Sequence, residues 1–221
     1  MSSALKYLNS TIGRKYLMSL SGIAWSLFVL SHMLGNLLIF VGAEAYNKYS
    51  HALISNPFLV VAEGGLVVFL LTHIYTGLKL TFRNWNSKPL KYAVTPKGPK
   101  GASRAASTMI YTGSMTLIFL IYHLITFKYG PHYSVNYNGV EMRDIHRLII
   151  EVFQSPFYVA WYLICLILLG FHLFHGFKSS FASLGINHPR YNSFIKCFGQ
   201  AYAVIVVAGF LAQPLYVFFS R

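Results

Sequence analysis

Four histidines, His32, His73, His123 and His172, each stand inside a different long apolar run of the sequence. An imidazole in hydrocarbon is costly unless partnered, so each is a candidate functional group. Neutral imidazole is also a common ligand for transition metals, iron among them. No H-E-x-x-H, C-x-x-C-H, iron–sulfur cysteine run, phosphate loop or dinucleotide fingerprint accompanies them. One histidine per helix also differs from the Glu-rich pattern of di-iron bundles. Ligands spread in this way suit bis-imidazole clamps on haem iron. Such clamps fill both axial positions and favour electron transfer over oxygen chemistry.

The elements that must position these residues are membrane helices. The chain has 221 residues, 55% hydrophobic and only 10% charged. A bilayer core needs about 20 apolar helical residues. Five stretches meet that length, at residues 19–40, 57–78, 105–127, 156–177 and 197–219. Backbone polar groups must be satisfied internally in lipid, and these runs lack the alternation of barrel strands. The expected fold is therefore all-α, one transmembrane domain of five helices over residues 1–221. The first run is long enough to be a retained helix and not a signal peptide. Cys165 and Cys197 have no metal-ligand or disulfide spacing and are expected to be small packed residues.

Loop charge sets the expected orientation. The formal charge is +13. Lys6, Arg14, Lys15, Lys79, Arg83, Lys88, Lys91, Lys97, Lys100, Arg104, Lys178, Arg190 and Lys196 all fall on one side. Glu44, Glu63, Glu141, Asp144 and Glu151 fall on or toward the other, with Lys48, Lys128, Arg143, Arg147 and Arg221. This bias predicts a cytoplasmic N-terminus and an external C-terminus. The basic residues lie between apolar runs and form no face for nucleic acid, so membrane lipid is the expected surface partner. Residues 84–101 read as a turn-rich inner loop, and Glu141–Phe153 as containing a short interfacial helix. Pro57 and Pro156 read as helix starts.

Depth then pairs the histidines. His32 and His123 lie about 8 and 4 residues before the outer ends of outward-running helices, at about 1.5 Å rise per residue. His73 and His172 lie about 5 residues before the inner ends of inward-running ones. Two layers result, His32 with His123 outside and His73 with His172 inside. His175 competes with His172 from one turn nearer the inner surface. Gly77 and Gly176 follow His73 and His172 by four positions, on the same helix face, where close approach is possible.

These residues carry a family likeness. Ser31-His32-Met33-Leu34-Gly35-Asn36, Gly42-Ala43-Glu44-Ala45-Tyr46-Asn47, Thr72-His73 through Gly77, Tyr122-His123, Gly170-Phe171-His172-Leu173-Phe174-His175-Gly176 and Leu184-Gly185-Ile186-Asn187-His188-Pro189 occur in this order. In that order and spacing the chain resembles, over essentially its whole length, the five-helix dihaem cytochrome b subunit of succinate:quinone oxidoreductases and quinol:fumarate reductases. The resemblance implies two haems b, the inner on His73 and His172 and the outer on His32 and His123. It also implies menaquinone as redox substrate. A flavoprotein subunit carrying FAD and an iron–sulfur subunit with its clusters would sit on the cytoplasmic side of a bacterial inner membrane. Succinate or fumarate would react at the flavin, in a partner subunit. A dimer of heterotrimers is an assembly open to such a chain.

Quinone reduction also consumes protons. Glu63, the one acid within a span, is the candidate for proton transfer to quinone, with burial expected to favour its neutral form. Arg14, Lys15, Arg143, Arg147 and His175 are candidates for haem-propionate or quinone contacts. Two other readings stay open at this point: a cytochrome b serving another dehydrogenase, such as a hydrogenase, and a transporter using intramembrane histidines as a proton relay.

Overall fold

Hydrocarbon offers no partner for a free N–H or C=O, so each long apolar run closes its own hydrogen bonds as a helix. The computed structural model describes residues 3–86 and 104–220. The elements are α1 (Ser3–Asn9), α2 (Thr11–Asn36), α3 (Ala43–Ile54), α4 (Leu59–Asn86), α5 (Arg104–His123), β1 (Ser134–Tyr137), β2 (Val140–Arg143), α6 (Ile145–Phe153), α7 (Pro156–Ser183) and α8 (Pro189–Phe219). A 3₁₀ turn, Leu37–Phe40, extends α2, and a π turn, Leu124–Lys128, extends α5. Five of these helices, α2, α4, α5, α7 and α8, are long and apolar enough to cross a membrane.

The helices outrun the apolar spans. The first and last begin at Thr11 and Pro189, not at residues 19 and 197, and α4 and α7 continue to Asn86 and Ser183. Hydropathy marks where hydrocarbon ends, whereas a helix stops where its hydrogen bonds are capped. Ser10 Oγ accepts from Gly13 N at 3.1 Å at the start of α2. His188 Nδ1 accepts from Arg190 N at 3.2 Å at the start of α8. Pro156 does occupy the first turn of α7. Pro57 does not open α4: it lies in a turn whose Asn56 side chain accepts from Phe58 N at 2.9 Å. The inner loop expected at residues 84–101, with Lys88, Lys91, Lys97 and Lys100, falls mostly outside the described residues.

The expectation of an all-α chain needs one amendment. A two-stranded antiparallel hairpin pairs Ser134 with Arg143 and Tyr137 with Val140. Its turn is Asn138-Gly139, with φ of 54° and 84°, the left-handed geometry that Asn-Gly favours in two-residue hairpins. Glu141 therefore lies in a strand, and the short helix expected nearby starts only at Ile145. Asp144 caps it, accepting from Arg147 N at 3.0 Å.

Among the spanning helices, α7 packs on α2, α5 and α8, and α2 packs on α4 and α8, while α4 and α5 barely touch. The core runs along α7 and α8, through Tyr162, Leu166, Leu169, Leu173, Ala203 and Val206. Small residues let these helices approach: a Cβ on Gly199 would come within 2.9 Å of Phe177 Cδ1. Val60, Val61, Phe157, Val204 and Ile205 are exposed on the outside of the bundle, as lipid-facing residues should be. At one end α3 is tied to the start of α6 through Asn47, which is 0% exposed. Its amide donates to Asp144 Oδ1 at 2.8 Å, and its carbonyl accepts from His146 N at 3.0 Å.

Candidate functional site

The four histidines come from α2, α4, α5 and α7 and meet in two pairs. The rings of His73 and His172 have centroids 6.2 Å apart, inclined at 69°. Those of His32 and His123 are 5.8 Å apart, inclined at 88°. A first-row metal takes an imidazole nitrogen at about 2 Å. Adding the half-width of each ring, two imidazoles on opposite sides of one iron hold their centroids about 6 Å apart. Both pairs fit that separation. Among the described residues no three His, Cys, Asp or Glu side chains gather as a bare-metal site, so the imidazoles occur in twos.

The His73–His172 pair is backed by oxygen on both sides. His73 Nδ1 lies 3.2 Å from the Met18 carbonyl and 3.3 Å from Ser21 Oγ. A carbonyl can only accept, so the proton is on Nδ1 and Nε2 carries the lone pair. His172 Nδ1 lies 3.2 Å from Thr112 Oγ1. Glycine stands beside each ring: a Cβ on Gly22 would come within 3.2 Å of His73 Cε1, and one on Gly113 within 3.1 Å of His172 Cε1.

The other pair is supported differently. His123 ends α5 where the π turn begins, and its Nδ1 is 3.1 Å from the hydroxyl of buried Tyr162. Local widening of this kind often marks functional positions. Phe28 stacks on His32 at 5.4 Å, and Phe119 tilts against His123 at 5.8 Å. The Asn36 amide nitrogen is 3.4 Å from both ring nitrogens of His32 and donates at 2.8 Å to the His32 carbonyl. Equal distances leave that amide without a preference for either nitrogen.

The remaining candidates fare unequally. His175 is half-buried one turn along α7, and it is the ring of His172 that faces His73. Arg14 Nε, Trp25 Nε1 and Arg143 Nε are buried without a hydrogen-bond partner among the described residues. Arg14 precedes Met18 by one turn, and Trp25 follows Ser21 by one turn, so both flank the His73 layer. Arg143 donates its terminal nitrogens to the Lys128 and Pro131 carbonyls at 3.3 and 3.1 Å, and burial lowers its pKa. Lys15 is exposed. Arg147 is engaged elsewhere, donating to Glu151 at 2.9 Å and lying over the Tyr133 ring at 4.2 Å. Hydrogen bonds from Tyr133 and Arg147 hold the Glu151 carboxyl below its ordinary range.

Glu63 is not enclosed by protein. Its side chain is 42% exposed and accepts from Lys128 Nζ at 2.5 Å, joining the start of α4 to the π turn.

Ser21, Thr112, Gly22, Gly113 and Tyr162 were not singled out from the sequence, although a signal for four of them exists there. Met18, Ser21, Gly22, Phe28 and His32 are answered 91 positions later by Met109, Thr112, Gly113, Phe119 and His123 (18 to 109, 32 to 123). Pro57, His73 and Gly77 are answered 99 positions later by Pro156, His172 and Gly176 (57 to 156, 73 to 172). The contacts repeat as well. Met18 Cε lies 3.8 Å from a Cβ built on Gly77, and Met109 Cε lies 3.8 Å from one built on Gly176. The α2–α4 and α5–α7 halves are two versions of one unit, and α8 is additional. No protein family model, curated protein or solved structure matches the chain.

Proposed function

We propose that this chain is a dihaem cytochrome b, the membrane anchor of a succinate:quinone or quinol:fumarate oxidoreductase, passing electrons between an iron–sulfur partner and menaquinone. The observation that carries the reading is the pair of facing imidazoles in each of two layers, both at the separation that one iron requires. When bound, the two haems supply one-electron ferric–ferrous chemistry.

The chain's own residues do the rest. His73 and His172 would hold one haem, and His32 and His123 the other, and a pair of imidazoles on each would suit electron transfer rather than oxygen chemistry. The buried N–H groups of Arg14, Trp25 and Arg143, without a partner among the described residues, are donors suited to anionic propionates. The orientation follows the charge bias, with the α1 end cytoplasmic, in a bacterial inner membrane, and holding the iron–sulfur and FAD-bearing subunits. The succinate or fumarate reaction belongs to that flavoprotein. The specific dehydrogenase rests on the sequence resemblance, while the haem-binding part also stands on the ring geometry.

Pyridine-haemochrome analysis of the purified chain tests the core of this reading. Two b haems per chain are expected, and none would leave a histidine proton relay as the better account. Co-purification of a covalently or tightly bound flavin subunit then separates succinate or fumarate chemistry from a hydrogenase-type partner.

Glu63 has a place in this scheme as a proton-exchanging group at the quinone. Its pairing with Lys128 holds the carboxylate at the bundle edge beside the barely touching α4 and α5. Glu63→Gln (E63Q) is expected to lower quinone turnover severalfold with haem content unchanged. Turnover equal to that of the parent enzyme would reduce Glu63 to a structural ion-pair partner.

A further inference from the structure

The two backing hydroxyls do more than fill space. Ser21 Oγ donates to the Leu17 or Met18 carbonyl, at 2.7 and 3.1 Å, and Thr112 Oγ1 donates to the Thr108 or Met109 carbonyl, at 3.3 and 3.2 Å. With its single proton used on its own helix, each hydroxyl turns a lone pair toward an imidazole Nδ1. The arrangement occurs twice, from α2 onto α4 and from α5 onto α7, at matching positions of the repeat. It is confined to one layer. In the other, His123 meets a phenol, and the Asn36 amide lies equally far from both ring nitrogens of His32.

We propose that Ser21 and Thr112 are positioning residues that fix His73 and His172 as Nε2 ligands and, by accepting their Nδ1–H, lower the reduction potential of the haem held between them. The proposal rests on the dihaem reading. An acceptor on the far nitrogen makes an imidazole a stronger donor, and such partners commonly change metal affinity by about 10–100-fold. A more basic ligand favours ferric over ferrous iron, so the hydroxyls push this centre toward lower potential. The two backings are unequal. His73 keeps the Met18 carbonyl if Ser21 is removed, whereas Thr112 is the hydroxyl that answers His172.

The test is a spectroelectrochemical titration of the full chain, purified with its haems. Thr112→Val (T112V) keeps the branched shape and removes the acceptor. Its expected result is a positive shift of one haem only, with the ferric-to-ferrous ratio at fixed potential falling up to about tenfold, or about 59 mV for one electron. Ser21→Ala (S21A) should shift the same haem by less, and Thr112→Ser (T112S) should restore the parental value. An unchanged or more negative midpoint in T112V, with both haems present, overturns the proposal and leaves the dihaem reading intact. If T112V loses that haem, retention at the parental potential in T112S supports the proposal, and its loss in T112S as well overturns it. A parent chain without haem defeats the dihaem reading and the proposal together.

Discussion

Replacing His172 with alanine (H172A) is expected to take the purified chain from two b haems to one. The remaining haem should keep the spectrum and midpoint of the His32–His123 centre. The expectation follows from the way the rings are shared out. His172 faces His73 at 6.2 Å, and the other pair is assembled from different turns of α2 and α5. Removing His172 would take away one of the two imidazoles that would hold this haem and leave a gap where the ring stood, which would favour loss of that haem alone. His175→Ala (H175A) is the companion measurement, and it should retain both haems because His175 is not the ring opposite His73. Pyridine haemochrome gives the stoichiometry, and low-temperature optical spectra give the identity of the survivor. Retention of two haems in H172A together with loss of one in H175A would transfer the ligand role to His175.

The second large effect is on stability. Asn47→Leu (N47L) is expected to destabilise the chain by about 2–4 kcal/mol, because it strands buried polar partners instead of merely deleting a contact. Asn47 is 0% exposed and serves Asp144 with its amide and His146 N–H with its carbonyl. A leucine offers neither donor nor acceptor, so α3 and α6 lose the polar tie between them. Lys48→Ala (K48A) is the neighbouring control. The Glu44–Lys48 pair is about half exposed, and pairs of that kind contribute roughly 0–1 kcal/mol. Thermal unfolding in one detergent should separate the two variants clearly; equal melting of N47L and the parent would show that α3 and α6 are held by other means.

The five long helices were legible because uninterrupted apolar runs of that length have few alternatives. Their ends were not, since Ser10 and His188 cap helices well outside the hydrocarbon stretch. The hairpin had a clear local signal in Asn138-Gly139, but its strands are only four residues each and lie within a long polar connection. α3 likewise follows Gly42 in a segment whose composition is mixed. The same ring pairs that touch in the structure can be drawn by counting residues along antiparallel helices, because rise per residue is nearly constant. Rotation about each helix axis is harder to read. α7 is apolar on every side, so hydropathy does not tell which residues face α5, and Thr112 could be recognised only by comparing the two halves. The partner of Glu63 was hidden for another reason: Lys128 is 65 positions away, and nothing local links a carboxylate after Pro57 to an ammonium at the end of a π turn.

The repeat within the bundle has a consequence for biogenesis. His32 and His73 belong to the half made first by the ribosome, and His123 and His172 to the half made second, yet each facing pair takes one ring from each half. Neither facing pair exists while only the earlier hairpin is inserted, so under the dihaem reading an emerging chain would present single imidazoles to porphyrin. The His32–His123 pair needs only α2 and α5, whereas the His73–His172 pair also needs α7, so under that reading the second clamp would be completed later than the first.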